Sequence, residues 1–216
     1  MVIRDRRFRN RTDAGAQLAV ALGSLALDRP VVLGIPRGGV VVSDQVARAL
    51  GADHGVIVAR KLGAPWQPEL AVGAVSATGV IYIDPDTASV PGVTDAYLRD
   101  EVAAKTELAR RYEAQFDGGR RPPLFGREVV VVDDGLATGA TAIAAVRAVK
   151  AEGAKRVVLA VPVGPPPTVQ ALRREADDVV CLVEDASFFA VGQFYREFAP
   201  VDDEEVRRLM NLDAPA

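Results

Sequence analysis

Apolar runs along the chain alternate with segments of helical periodicity. Runs without polar alternation predict strands covered on both faces, as in a parallel sheet between helices. The predicted strands are Val31 to Gly34, Gly55 to Ala59, Leu70 to Ser76, Val80 to Ile83, Val129 to Val132, Arg156 to Val161 and Val179 to Val183. The predicted helices are Gly39 to Leu50, Thr94 to Phe116, Ala140 to Ala151, Pro166 to Glu175 and Asp202 to Met210. This order predicts an α/β fold with a doubly wound parallel sheet.

Composition favours a single domain over residues 1–216, with a core of about 28–184. The net charge of −3 argues against nucleic-acid binding, and the basic cluster Arg4 to Arg11 is interpreted as a solvated terminus or part of a lid. Without a long apolar run or a secretion signal, we expect a cytoplasmic protein with no membrane contact. The single Cys181 is expected to be an inert core residue, and the single His54 excludes multi-histidine metal sites.

The most informative stretch runs from Val129 to Thr141. A valine run ends in two carboxylates, Asp133 and Asp134, and a glycine-bearing turn leads into the helix predicted from Ala140. The N–H groups of such a turn and helix start converge on one point, where their partial positive charge favours a phosphate. The two carboxylates would repel a phosphate unless they bind hydroxyls of the same ligand or share its magnesium. A phosphorylated sugar meets both conditions.

The spacing in this stretch excludes two common nucleotide-binding motifs. No lysine follows Gly139, which excludes a Walker A loop, and the glycines do not have the spacing of dinucleotide folds. The order of four apolar residues, two aspartates, three residues, Thr138, Gly139, one residue and Thr141 resembles the phosphoribosyl pyrophosphate (PRPP) signature of type I phosphoribosyltransferases. The whole chain is similar in layout to uncharacterised bacterial members of that family.

The resemblance implies roles for individual residues. Asp133 and Asp134 would contact the ribose hydroxyls and a Mg²⁺ cofactor, the latter largely through PRPP and water. The turn would wrap the 5′-phosphate with Gly135, Leu136, Ala137, Thr138, Gly139, Ala140 and Thr141. The 6-oxopurine enzymes of the family place an aspartate where this chain has Ala137, which disfavours hypoxanthine and guanine as acceptors.

A second glycine loop, Gly34 to Gly39, follows the first predicted strand. Ligands of open α/β sheets lie beyond the carboxyl ends of the strands, so both loops are expected to face one cleft. The resemblance implies that this loop contacts pyrophosphate through Arg37, Gly38 and Gly39, with Arg37 supplying positive charge.

A breaker-rich segment, Leu62 to Glu69, predicts a mobile loop that opens a hairpin. Family members carry a flexible hairpin at this point, which closes over PRPP and excludes water. The resemblance places Lys61 near pyrophosphate and makes Glu69 a candidate substrate contact. Trp66 is either a lid residue or a hydrophobic anchor for the hairpin.

The two ends of the chain, residues 1–20 and 185–216, are expected to form a small hood over the strand ends. In the family such a hood recognises the base. Its aromatic-rich part runs from Phe188 to Phe198. The candidate base contacts there are Phe189, Gln193 and Tyr195. The alternative is that these aromatic residues form the core of the hood itself.

The activity that the resemblance implies is transfer of the 5-phosphoribosyl group from PRPP to a nitrogenous base, with release of pyrophosphate, as in nucleotide salvage. Such a dissociative reaction depends on positioning and charge stabilisation more than on a protein nucleophile. The candidate catalytic residues are Arg37, Lys61, Asp133 and Asp134. The alternatives are a regulator that senses PRPP without turnover and a PRPP or phosphosugar hydrolase. The expected partners are PRPP and a nucleobase-like acceptor, and the family suggests a homodimer.

Overall fold

The computed structural model describes residues 8–87, 90–117 and 121–212. The strands are β1 (Val31–Gly34), β2 (Asp53–Val56), β3 (Ala59–Ala64), β4 (Gln67–Ser76), β5 (Ile81–Ile83), β6 (Glu128–Val132), β7 (Arg156–Gly164) and β8 (Asp178–Glu184). The α-helices are α1 (Arg11–Leu22), α2 (Gly38–Leu50), α3 (Asp95–Asp117), α4 (Ala140–Ala151), α5 (Pro166–Leu172) and α6 (Asp203–Leu209). Short 3-10 turns occupy Gly23–Leu25 and Val191–Phe194.

A five-stranded parallel sheet in the order β2-β1-β6-β7-β8 forms the centre of the fold. Alternate side chains of its strands enter two apolar layers. Leu33 and Val131 pack with residues of α4 and α5, whereas Val32 and Val130 pack with residues of α1 and α2. Both faces are therefore covered by helices, which is why the strands are continuous apolar runs. The predicted doubly wound parallel sheet is confirmed.

Helix α1 is an element that the sequence reading missed. The side chain of Asn10 caps it by accepting the N–H of Asp13 at 3.0 Å. Leu18 and Leu22 are fully buried in the layer that α1 shares with α2 and the sheet. Ala14 packs instead with Phe8, Phe194 and Tyr195, so residues 11–20 contact both the central core and the predicted hood. Residues 1–7 lie outside the described residues.

The segment after β2 also departs from the prediction. The predicted strand Gly55 to Ala59 is split, because β2 ends at Val56 and β3 begins a second, antiparallel sheet with the order β3-β4-β5. The predicted loop Leu62 to Glu69 is mostly strand, and only Pro65 and Trp66 form the turn. The expected hairpin is present, with an irregular register around Gly63.

The turn of this hairpin is tied to the loop that precedes α3. The indole N–H of Trp66 donates to the carbonyl of Pro91 at 2.8 Å. The hydroxyl of Tyr97 donates to the carbonyl of Gly63 at 2.7 Å. These bonds favour the anchor over the lid as the interpretation of Trp66.

The side chains of His54 and Cys181 are largely buried and make hydrogen bonds within the protein. The Nε2 atom of His54 lies 2.8 Å from the hydroxyl of the fully buried Ser43, and burial lowers the histidine pKa to about 4. Burial raises the pKa of the Cys181 thiol to about 11. Both side chains are therefore neutral near pH 7. Across the described residues, no helix is both long enough and apolar enough for a membrane crossing.

Candidate active site

The carboxyl ends of β1 and β6 bring the two glycine loops into contact. These strands pair in parallel, and the N–H of Ile35 donates to the carbonyl of Val132 at 2.8 Å. A β-carbon on Gly38 would overlap the carboxylate of Asp134, and one on Gly39 would lie 2.7 Å from the carbonyl oxygen of Val132. Only glycine leaves room for this close approach, so both predicted loops share one site.

The two carboxyl groups of this site, Asp133 and Asp134, stand at the end of β6. One oxygen of Asp133 accepts the N–H of Asp134 at 2.8 Å. Burial raises the pKa of both carboxyls, and the charge of Asp134 raises that of Asp133 further. Keeping both groups ionised is therefore costly in the absence of a ligand. Hydroxyl donors or a cation on a ligand would offset this cost.

Arg11 is a cation at this site that the sequence reading missed. From the first residue of α1, its Nε donates to Oδ2 of Asp134 at 2.7 Å, and the arginine side chain is only 11% exposed. This burial contradicts a solvated terminus as the interpretation for Arg11, and the alternative, part of a lid, stays a prediction. The two residues are 123 positions apart, and no sequence pattern signals such a distant ion pair.

A cavity of about 170 Å³ lies over the start of α4. Its lining residues are Asp133, Gly135, Leu136, Ala137, Thr138, Gly139, Thr141, Ala142 and Val191. Gly139 adopts a left-handed conformation, with φ of 79°, directly before the helix. The positive end of the α4 dipole is therefore beside a small polar space, an arrangement that binds anions. Of the residues predicted for the phosphate, Ala140 alone is not part of this lining and packs into the core instead.

The loop after β1 presents Arg37 at the start of α2. Its side chain is half-exposed, and its Nη1 lies 3.6 Å from Oδ1 of Asp203 in α6. Asp203 also accepts a hydrogen bond from the hydroxyl of Tyr112 at 2.9 Å. Lys61 lies in β3 opposite Ala74 and is half-buried. The side chain of Glu69 lies outside the described part of the chain, so its predicted contact has no structural account.

The aromatic C-terminal segment has a buried half and an exposed half. Tyr195 is 5% exposed, and its ring packs against those of Phe8 and Phe198. Its hydroxyl donates to the carbonyl of Asp134 at 2.6 Å. Tyr195 thus supports the backbone of an acid residue and presents no open ring face, which favours the alternative that it forms part of the core of the hood. Phe189 is 92% exposed.

Gln193 fixes the loop that carries Phe189. Its side-chain oxygen accepts the N–H groups of Phe189 and Ala190 at 2.8 and 3.1 Å, and its amide donates to the carbonyl of Ser187 at 3.2 Å. These hydrogen bonds shape the loop. That Gln193 also contacts a base stays a prediction.

Replacing Tyr195 by phenylalanine is expected to destabilise the protein by about 1 kcal/mol, because the carbonyl of Asp134 loses its donor. Burial raises the pKa of Tyr195, so the hydroxyl stays protonated across the physiological range. For a chain of this size the melting temperature should fall by about 2–4 °C. A thermal melt of both proteins measures this, and equal melting temperatures would show that the bond contributes nothing.

Comparison with known proteins agrees with this geometry. Residues 12–197 match the family described as "Phosphoribosyl transferase domain". The chain belongs to this family. A Mycobacterium tuberculosis H37Rv protein named "Putative phosphoribosyl transferase Rv0571c" is 51% identical to this phosphoribosyl transferase domain over 202 residues. That match covers 92% of this chain and 45% of the relative, so the chain spans less than half the length of the curated relatives it matches.

Solved structures share the fold. The crystal structure of TT1426 from Thermus thermophilus has a TM-score of 0.81 and 45% identity to this phosphoribosyl transferase domain, covering 94% of this chain and 97% of that one. The AQ2163 protein from Aquifex aeolicus has a TM-score of 0.51 and 15% identity, with 81% and 74% covered. The second likeness shows the fold alone.

The carboxylates of Asp133 and Asp134 are the candidate metal ligands of the site. Among the described residues, no cluster of three or more His, Cys, Asp or Glu side chains could hold an ion. Asp133 and Asp134 offer carboxylate oxygens, one of which is already bound to Arg11. Mg²⁺ typically keeps several waters and binds one or two carboxylates together with the phosphates of a substrate. The residues of this phosphoribosyl transferase domain therefore fit Mg²⁺ that arrives with a phosphorylated ligand.

Proposed function

We propose that the domain transfers the 5-phosphoribosyl group from PRPP to a nitrogenous base and releases pyrophosphate, as in nucleotide salvage. The observation that carries the proposal is the contact between the two loops, in which Gly38 packs against Asp134. The carboxylates of Asp133 and Asp134 consequently lie between the cavity at the start of α4 and the loop that carries Arg37. A ribose that carries a phosphate at one end and pyrophosphate at the other matches that order.

Each part of PRPP then has its own partners. The 5′-phosphate would occupy the cavity at the start of α4, where backbone N–H groups and the hydroxyls of Thr138 and Thr141 are donors. The ribose hydroxyls would donate to Asp133 and Asp134. The pyrophosphate would lie along the loop of Gly38 and Gly39, with Arg37 and Lys61 as its cations and Glu69 as a further candidate contact.

The chemistry follows from the charges that develop. As the bond from C1 to pyrophosphate breaks, the ribose ring becomes cationic and the leaving group anionic. Asp133 and Asp134 orient the ring through its hydroxyls, and Arg37 and Lys61 stabilise the leaving group. When bound, Mg²⁺ would neutralise part of the pyrophosphate charge, held by Asp133 and Asp134 together with ligand oxygens and water.

The acceptor is expected to lie against the C-terminal segment. Val191 lines the phosphate cavity, and the exposed Phe189 precedes it by two residues. An exposed ring so near the site can stack on a planar base. Ala137 also lines the cavity, at the place where 6-oxopurine enzymes have an aspartate, so purines without the 6-oxo group and other bases are the favoured acceptors.

The experiment that tests the proposal measures pyrophosphate release from PRPP and Mg²⁺ over a panel of purine and pyrimidine bases, with a no-base control. We expect release with one base or one class of bases, and none after Mg²⁺ is removed by chelation. Equal release in the no-base control would identify a hydrolase. PRPP binding without any release would favour the sensor, and absence of PRPP binding would refute the site assignment.

A further inference from the structure

Arg11 makes three directed contacts, and together they leave its side chain a single orientation. Its Nε donates to Oδ2 of Asp134 at 2.7 Å, and its Nη1 donates to the carbonyl of Ala199 at 2.7 Å. The carbon of the guanidinium lies 3.8 Å from the centroid of the Phe198 ring. A planar guanidinium that is bonded at two edges and stacked on one face cannot rotate without losing a contact.

The position of Arg11 also connects it to the loop after β1. A β-carbon built on Gly38 would lie 2.8 Å from Nε of Arg11. The arginine therefore borders the acid pair on one side and the start of α2 on the other. It joins the N-terminal helix α1, the end of β6 and the C-terminal segment at one point.

We propose that Arg11 is a positioning residue, which holds the Asp134 carboxylate in the orientation that receives the ribose hydroxyls. The proposal rests on the proposed function, because the ribose is the ligand that Asp134 would meet. By occupying Oδ2, Arg11 leaves Oδ1 as the oxygen for the ligand. Phe198 and Ala199 fix the arginine in turn, so the C-terminal segment acts on the ribose site through Arg11.

A selective loss of affinity distinguishes positioning from a purely structural role. Ribose 5-phosphate carries the hydroxyls that Asp134 would bind, whereas inorganic pyrophosphate carries none. Loss of positioning should weaken the first ligand and spare the second. A general disturbance of the fold would weaken both.

The test measures the dissociation constants of both ligands by calorimetry, without Mg²⁺ so that pyrophosphate cannot reach Asp134 through the metal. The proteins compared are the wild type, Arg11→Gln, Arg11→Lys and Phe198→Leu. We expect Arg11→Gln to weaken ribose 5-phosphate binding at least tenfold and to change pyrophosphate binding less than twofold. Arg11→Lys should recover part of the lost affinity, because lysine keeps the positive charge but lacks the planar guanidinium that donates to Asp134 and Ala199 at once. Phe198→Leu should weaken ribose 5-phosphate a few fold without touching Asp134, and it serves as the test if Arg11→Gln does not fold.

Arg111→Ala is the matched control, because Arg111 also donates to a carboxylate at 2.7 Å, that of Glu107, on the exposed face of α3. It should leave both affinities unchanged. Equal weakening of both ligands in the Arg11 variants, or no weakening of ribose 5-phosphate, would overturn the inference and leave the proposed function standing. A wild type that binds neither PRPP nor ribose 5-phosphate would overturn both.

Discussion

Replacing Asp133 by asparagine is expected to abolish detectable PRPP binding and, at the same time, to stabilise the ligand-free protein. Burial and the neighbouring charge of Asp134 raise the pKa of Asp133, so folding disfavours its ionised form. Asparagine keeps the oxygen that accepts the N–H of Asp134 but removes the charge. We expect a gain of about 1–3 kcal/mol near pH 7, which a thermal melt resolves as a shift of several degrees.

The pH dependence gives the sign of this effect. A carboxyl whose folded pKa exceeds its unfolded value of about 4 is stabilised when protonated. The wild type should therefore lose stability as the pH rises from about 4 through the folded pKa of Asp133. Asp133→Asn should lose less, because only the raised pKa of Asp134 then contributes. Melts from acid to neutral pH should show the two proteins converging at the acid end.

The control for this prediction is Asp53→Asn. Asp53 is exposed and pairs with Arg127 at 2.9 Å, where Arg127 also donates to the carbonyl of Arg29. An exposed pair contributes little, so stability should change by less than about 1 kcal/mol and PRPP affinity should be unaffected. Unchanged PRPP affinity in a protein with both Asp133→Asn and Asp134→Asn would refute the assignment of the acid pair.

Replacing Gly38 by alanine is expected to weaken PRPP binding by about 10- to 100-fold. The added methyl group would overlap the Asp134 carboxylate and displace it, which would cost its charge-assisted hydrogen bond to the ligand. Overpacking at this contact should also destabilise the protein by about 1–3 kcal/mol. A titration with PRPP and a thermal melt measure the two effects.

Gly23→Ala is the control for this variant, because it replaces a glycine by alanine without creating an overlap with another side chain. Gly23 has an ordinary right-handed conformation, and a β-carbon there would meet no atom within 4 Å. We expect its stability to change by less than about 1 kcal/mol and its PRPP affinity to match the wild type. If Gly38→Ala binds PRPP as well as Gly23→Ala does, Asp134 does not form part of the ligand site.

The parts of the site that were predictable are those encoded locally. The valine run before Asp133 and the glycine turn after it are consecutive in sequence, and parallel pairing of β1 with β6 then brings the two loops together. The division of the predicted strand Gly55 to Ala59 between two sheets was not predictable. The N–H of Ile57 donates to Gly34 of the parallel sheet, whereas the carbonyl of Val58 accepts from Ala77, which follows β4. A short apolar run carries no sign of this change of partner.

Two further features escaped prediction for physical reasons. Helix α1 is alanine-rich, and its apolar residues do not form a clear stripe along one face, so the 3.6-residue period is weak. The partners of Asp134 come from positions far away in sequence, since Arg11 reaches its carboxylate and Tyr195 its carbonyl. Long-range side-chain contacts of this kind leave no local spacing to recognise. The homodimer and the flexibility of the hairpin were inferred from the family resemblance alone, and both stay predictions.

The contacts that join the two ends of the chain bear on how the protein folds. The N–H of Phe8 donates to the carbonyl of Phe194 at 2.7 Å, and the N–H of Arg196 donates to the carbonyl of Phe8 at 2.9 Å. Pairing residues so far apart closes a loop that contains every strand of both sheets, from β1 to β8. The entropic cost of that closure is offset only once contacts within the loop exist. Because Arg11 and Tyr195 flank this junction and also contact Asp134, we expect the acid pair to reach its final arrangement late in folding. We therefore expect the sheet to form first and the proposed binding of a sugar phosphate to require complete folding.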